Sequence, residues 1–129
     1  MIRLPFTIAE YEDRLRKIQK LMAARDLDGL ILTKPDSIYY VSGYGASTIA
    51  TSIGPLHCLL VPRSGQPRLL TRRVEERAAA TTQWTPDPVC HADDESPFDL
   101  LERMANDFKV GRGVLGIEKG FVSVAQWEN

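Results

Sequence analysis

Apolar residues recur at helical spacing near the start of the chain. Tyr11, Leu15, Ile18 and Met22 form one stripe, while Glu12, Asp13, Arg16, Lys17 and Lys20 fall mainly on other faces. Just before the stripe, Thr7-Ile-Ala-Glu10 has the spacing of a capping box, with Phe6 and Tyr11 placed as a hydrophobic staple. The pattern predicts an amphipathic helix over residues 8–25. The period then changes. Gly29-Leu-Ile-Leu-Thr33 is a continuous apolar run closed by Lys34-Pro35, which predicts a buried strand. Pro35-Asp36-Ser37 opens a short second helix carrying Ile38, Tyr39, Tyr40 and Val41, with Gly43 placed as its left-handed stop.

From Tyr44 to Pro55 neither period is sustained, and the stretch reads as a loop or an irregular strand entry. Leu56–Val61 and Gln66–Thr71 flank Pro62-Arg-Ser-Gly65 and predict an antiparallel hairpin. Arg73–Thr82, rich in Glu and Ala, predicts a third helix, and Pro86 and Pro88 prevent its continuation. Val89–His91 reads as a short strand. Ser96-Pro97, with Asp99 completing a box, starts a fourth helix whose buried stripe is Leu101, Met104, Ala105 and Phe108. Lys109 suits the negative end of its dipole, Gly111 to Gly113 provide the stop, and Val114–Glu118 is the last strand. Helices alternating with strands predict an α/β layer structure. A further capping-box pattern, Ser123-Val-Ala-Gln126, opens a helix three residues before Asn129, so the chain reads as one domain, 1–129, of a longer protein.

Composition adds boundaries. At 129 residues, 43% hydrophobic and 26% charged, the chain has the usage of one globular domain, and a net charge of −1 is a poor match for nucleic acid. No apolar run approaches the ~20 residues of a membrane span, and the first ten residues lack a signal-peptide core, which leads to a cytoplasmic assignment. Cys58 and Cys90 read as small packing residues. The near-neutral total conceals two opposed segments: residues 63–77 carry a local +3, and residues 85–107 a local −6.

Catalytic motifs are sparse. There is no HExxH, no CxxC pair and no GxSxG, and Ser42-Gly-Tyr-Gly45 is too short for a dinucleotide fingerprint. Cys90-His91-Ala-Asp93-Asp94-Glu95 gathers five potential ligands, but adjacent side chains diverge, so it reads as a solvated acidic loop leading to Ser96. Arg72-Arg73, at a strand-to-helix junction, is placed to pair a carboxylate or a partner's acidic face. Among Tyr39, Tyr40 and Tyr44, read chiefly as core aromatics, Tyr44 is the best candidate for exposure.

The order Tyr11-Glu-Asp-Arg-Leu15, Met22-Ala-Ala-Arg25, Asp28-Gly-Leu-Ile-Leu32, Ser37-Ile-Tyr-Tyr-Val-Ser-Gly-Tyr44 and Gly116-Ile-Glu118 resembles the N-terminal domain of the creatinase/prolidase family. The resemblance implies a mixed sheet flanked by helices in a ribonuclease-H-like α/β domain. It also implies a following pita-bread catalytic domain, where two Asp, one His and two Glu hold two divalent metal ions in the peptidases. None of those ligands carries over to this chain, which on this reading holds no cofactor and no catalytic residue. The role implied for it is homodimer assembly, with a loop reaching toward the neighbouring subunit's active site and limiting which substrates enter. Tyr44, Ser47, Arg72 and Arg73 are the candidates to meet substrate or the partner subunit.

Three functions follow from that resemblance. The first is the non-catalytic domain of a cytoplasmic Xaa-Pro dipeptidase or aminopeptidase. The second is the same domain of a creatinase- or ectoine-hydrolase-type enzyme. Leu4-Pro5-Phe6-Thr7 and Arg72-Arg73 resemble ectoine-hydrolase-type members, whereas Ala46-Ser-Thr-Ile49 departs from the aromatic and Arg with which creatinase meets substrate. The third is a catalytically inactive relative that binds peptides or proteins, the charged segments serving as recognition surfaces.

Overall fold

The computed structural model describes residues 4–45 and 57–118. Ser47, Ile49 and the Ser123 capping box lie outside the described residues. Helix α1 spans Ile8–Ala24, strand β1 Gly29–Leu32, helix α2 Pro35–Ser42, strand β2 Cys58–Pro62 and strand β3 Arg68–Arg72. A 3-10 turn, Arg73–Glu75, leads into α3 (Glu76–Thr82), followed by β4 (Val89–His91), α4 (Pro97–Asp107) and β5 (Leu115–Ile117). The strands form one mixed sheet in the order β4-β3-β2-β1-β5. β2 is antiparallel to both of its neighbours, and β3–β4 and β1–β5 are parallel pairs. Four strands therefore share one direction and β2 opposes them.

Strand alternation divides the core between the two faces. Leu59, Val61, Leu69 and Leu32 pack with Leu15, Met22, Ile38, Val41 and Ala79, so α1, α2 and α3 cover one face. Cys58, Leu60 and Leu70 pack with Met104, Ala105 and Val110, so α4 covers the other. Of the expected stripes, Tyr11, Leu15 and Met22 on α1 and Met104 and Ala105 on α4 are buried, while Ile18, Leu101 and Phe108 are half-buried against the core. Among the described residues no helix is long and apolar enough to cross a membrane.

Thr7 caps α1 as its spacing predicts, accepting from the Glu10 backbone N–H at 3.2 Å. Phe6 and Tyr11 meet edge to face with centroids 6.2 Å apart, which is the expected staple. The Glu10 carboxylate, however, turns to Arg14, 3.4 Å away. Both long helices end in Schellman turns whose left-handed residue is not glycine. Asp26 (φ 53°) follows α1 and Lys109 (φ 61°) follows α4. The next residues close the turns, Leu27 N–H donating to Met22 O at 2.9 Å and Val110 N–H to Ala105 O at 2.8 Å. Lys109, rather than Gly111 to Gly113, is thus where α4 stops, because Val110 gains an apolar site in the core directly after it. Ser96 precedes α4 at the N-cap position but its side chain makes no capping bond, so the box with Asp99 does not form. Pro97 opens that helix nonetheless. The third helix is split by its 3-10 start, and the hairpin connection is longer than the sequence implies, with Gly65 at φ 95°.

Candidate functional site

The carboxyl ends of the four parallel strands lie at one end of the sheet, the position where open α/β sheets place ligands. Arg72 ends β3, His91 ends β4, Glu118 follows β5, and His57 enters β2 from the same end. Three polar groups are linked there. The Tyr44 hydroxyl shares a hydrogen bond of 3.2 Å with Thr71 Oγ1, and His57 Nδ1 lies 2.9 Å from the same oxygen.

Tyr44 is therefore not an exposed contact. It is 1% exposed, because Gly43 adopts φ 85° after α2 and turns the next side chain into the core. Thr71 supplies the polar partner that a buried phenol needs. Burial pushes the Tyr44 phenol up to about 12, the Thr71 bond opposing that shift. Burial also pushes the His57 imidazole down to about 4, with His91 and Arg72 adding repulsion. At neutral pH both are uncharged, which suits a chain linked through the Thr71 hydroxyl.

His57 carries a pH dependence whose sign is fixed. Its folded pKa lies below its unfolded value, so the unfolded chain binds the proton first and the neutral ring contributes stability above about pH 6.5. That contribution is lost as pH falls from about 6.5 through about 4. Urea midpoints recorded across this range should fall more steeply for the natural chain than for His57→Gln; parallel curves would place the histidine in an ordinary solvated site.

Arg72 and Arg73 find acidic partners within the chain. Arg72 Nη2 lies 3.3 Å from Asp93 Oδ1, and Arg73 Nη2 lies 3.5 Å from Glu95 Oε1. The basic and acidic segments thus face one another where β3 and β4 run parallel, with Arg72 in register with His91. Asp93 and Glu95 are substantially exposed, and pairs of this kind contribute little to stability. Alternation puts Arg72 on the α4 face and Thr71 on the other. Tyr44 and Arg72 therefore share an end of the sheet but not a face. The loop after β4 remains a surface feature as expected, while the Glu95 carboxylate also accepts from the Ala92 N–H at 2.9 Å.

Two structural residues escaped the sequence patterns. Arg14 is buried within α1, its guanidinium carbon 4.4 Å from the Phe6 ring centroid, 4.3 Å from that of Tyr40 and 5.1 Å from that of Tyr11. Its Nη1 donates to Tyr40 O at 2.9 Å. Glu118 Oε1 accepts from the backbone N–H groups of Thr33 and Lys34 at 2.8 and 2.9 Å, and Oε2 accepts from Ser37 Oγ at 2.6 Å. Lys34, at the N-cap of α2, makes no side-chain cap of its own, and a carboxylate from beyond β5 accepts from the N-cap's own N–H, as the acid of a capping box does. The only sign of Glu118 in the sequence is its place in Gly116-Ile-Glu118.

The two cysteines are free, and Cys58 is fully buried among apolar side chains, which pushes its thiol up to about 12. Among the described residues no three His, Cys, Asp or Glu side chains gather in a metal-holding group, so they do not fit a metal centre.

A mixed sheet with one opposed strand, helices on both faces and a polar cluster at the carboxyl ends defines an α/β domain. The chain belongs to the creatinase/prolidase N-terminal domain family, whose model matches residues 14–129. It is 29% identical over 126 residues to an ectoine hydrolase of Halomonas elongata, covering 91% of this chain and 31% of the relative. An uncharacterized hydrolase/peptidase of Sinorhizobium fredii is 34% identical over 85 residues, 65% of this chain and 21% of the relative. The chain thus spans less than a third of each of these curated relatives. Among solved structures, the N-terminal domain of an Xaa-Pro dipeptidase from Lactobacillus brevis superposes with a TM-score of 0.78 at 24% identity, over 89% of this chain and 83% of that one. A dipeptidase from Pyrococcus horikoshii gives 0.72 at 23% identity, over 89% of this chain and 30% of the other. These likenesses establish a shared fold.

Proposed function

We propose that this chain is the non-catalytic N-terminal domain of a cytoplasmic hydrolase that acts on C–N bonds, serving dimer assembly and substrate access. The observation that carries the reading is the family match over residues 14–129, set against relatives of which the chain covers only a minor share. The site supports the accessory role. Tyr44, Thr71 and His57 are held by bonds within the chain, while Arg72, whose buried Nε has no hydrogen-bond partner among the described residues, and Arg73 stand at its margin with exposed carboxylates that an incoming acidic group displaces at low cost. Arg72, Arg73 and Ser47 are the proposed contacts to substrate or partner subunit, while Tyr44 positions the chain from within the core. Two divalent ions belong to this reading only as cofactors of a separate catalytic domain.

An Xaa-Pro dipeptidase or aminopeptidase is the preferred parent activity, in keeping with the dipeptidase fold relatives. Ectoine hydrolysis is the second reading, favoured by the match that runs over 126 residues. The intact natural protein that contains this chain should be assayed on an Xaa-Pro dipeptide and on ectoine, with its mass in solution measured alongside. Dipeptide cleavage by a dimer is the expected result. Ectoine opening without dipeptide cleavage would select the second reading, and a monomer active on either would remove the assembly role.

A further inference from the structure

Helix α2 has eight residues, below the ~12–15 at which an isolated helix becomes marginal in water. Its ends are instead held by groups from distant parts of the chain. At the start, Glu118 takes the Thr33 and Lys34 N–H groups and the Ser37 hydroxyl, across more than eighty residues of sequence. At the finish, Tyr40 O accepts from Arg14 Nη1 at 2.9 Å, Val41 O from Trp84 Nε1 at 2.7 Å and Ser42 O from Trp84 N at 3.2 Å. Gly43 N–H closes on Tyr39 O at 2.9 Å, and Tyr44 N–H donates to Ser42 Oγ at 3.1 Å. An anion at the first turn and a cation at the last also match the helix dipole.

We propose that α2 is a cooperative coupling element through which the carboxylate of Glu118, at the exit from β5, controls the position of Tyr44 and the bonds that Trp84 makes. The reason is the cost of helix nucleation: a helix this short does not persist as a half-formed piece, so losing the restraint at one end releases the other. Coupling of this kind is reciprocal, so a change at the Tyr44 end is felt at Glu118. A change at Glu118 is thereby read at Tyr44 and Trp84. The coupling belongs to this chain alone and is independent of which bond the parent hydrolase cleaves.

Hydrogen exchange resolved by residue tests it on the full 129-residue chain. In Glu118→Gln, which is neutral and keeps one acceptor oxygen, the Thr33 and Lys34 amides should exchange about tenfold faster, as expected for losing a charge-assisted bond. The indole N–H of Trp84 and the amide of Tyr44 should speed up with them, while amides of the β2–β3 ladder keep their rates. Ser37→Ala, which removes a single bond to the same carboxylate, should show the same pattern at smaller amplitude. For the reciprocal arm, Thr71→Val removes the hydroxyl partner of Tyr44 and should accelerate Thr33 and Lys34. Faster exchange at Thr33 and Lys34 with Trp84 and Tyr44 unchanged overturns the proposal. So does uniform acceleration of every amide in both Glu118→Gln and Ser37→Ala, because it marks general destabilisation.

Discussion

Gly43→Ala is expected to lower the stability of the chain by about 3 kcal/mol, the sum of a left-handed backbone cost and a steric one. The residue sits at φ 85°, and a Cβ there would meet Thr82 O at 2.8 Å, Leu4 Cδ2 at 3.0 Å and the Tyr11 hydroxyl at 3.1 Å. The nearest of these is backbone and has little freedom to retreat. Gly65→Ala isolates the two contributions. Gly65 has φ 95° but no atom within 4 Å of the added methyl, so that change should cost only about 1 kcal/mol, the conformational part. Urea denaturation of both variants measures the difference. Equal losses would mean that the corner beneath α2 relaxes freely, and Tyr44 would then lack the rigid support proposed for it.

Arg14→Met should cost about 2–3 kcal/mol, more than an exposed arginine on the same helix. Methionine retains much of the apolar stem but removes the cation held between Phe6 and Tyr40 and the donor that closes Tyr40 O. The loss has two parts: a cation against ring faces, and a carbonyl left without its partner at a helix C-terminus. Tyr40→Ala keeps the backbone carbonyl and its bond, and exposes only the loss of one half-exposed ring, so its effect should be the smaller. Arg16→Met is the surface reference, because among the described residues Arg16 pairs with half-exposed Asp13 at 3.6 Å and should change stability by no more than about 0.5 kcal/mol. If the midpoints of Arg14→Met and Arg16→Met agreed, the aromatic surround would be incidental.

Residues that act on their own neighbours are legible in the sequence. Thr7 caps the helix that it precedes, Pro35 opens α2, and Gly43 closes α2 in the left-handed region, each within a few residues of its effect. Arg14 illustrates the boundary. It lies three residues after Tyr11 and four before Ile18, on the edge of the apolar stripe, and that spacing alone sets it apart from Arg16 and Lys17 on the other faces. Phe6 and Tyr11 stand near it in sequence, and the arrival of Tyr40 from α2 completes the guanidinium site. Tyr44 fails in the opposite sense. Its small and polar neighbours imply a surface loop, whereas the hydroxyl of Thr71 on β3 gives its phenol a buried partner.

The chain's own periodicities determined the order of helices and strands, their approximate ends and the α/β class, because those properties arise from interactions spanning one or two turns. Motif order also carried the family resemblance. Strand register was decided at the tertiary level, and with it the separation of Thr71 and Arg72 onto opposite faces and the pairing of a basic segment with an acidic one. Glu118 is the clearest case: its carboxylate completes a helix more than eighty residues away. The physical reason is loop closure. A contact between distant residues has no local signature, and it forms only after the sheet has brought its partners together.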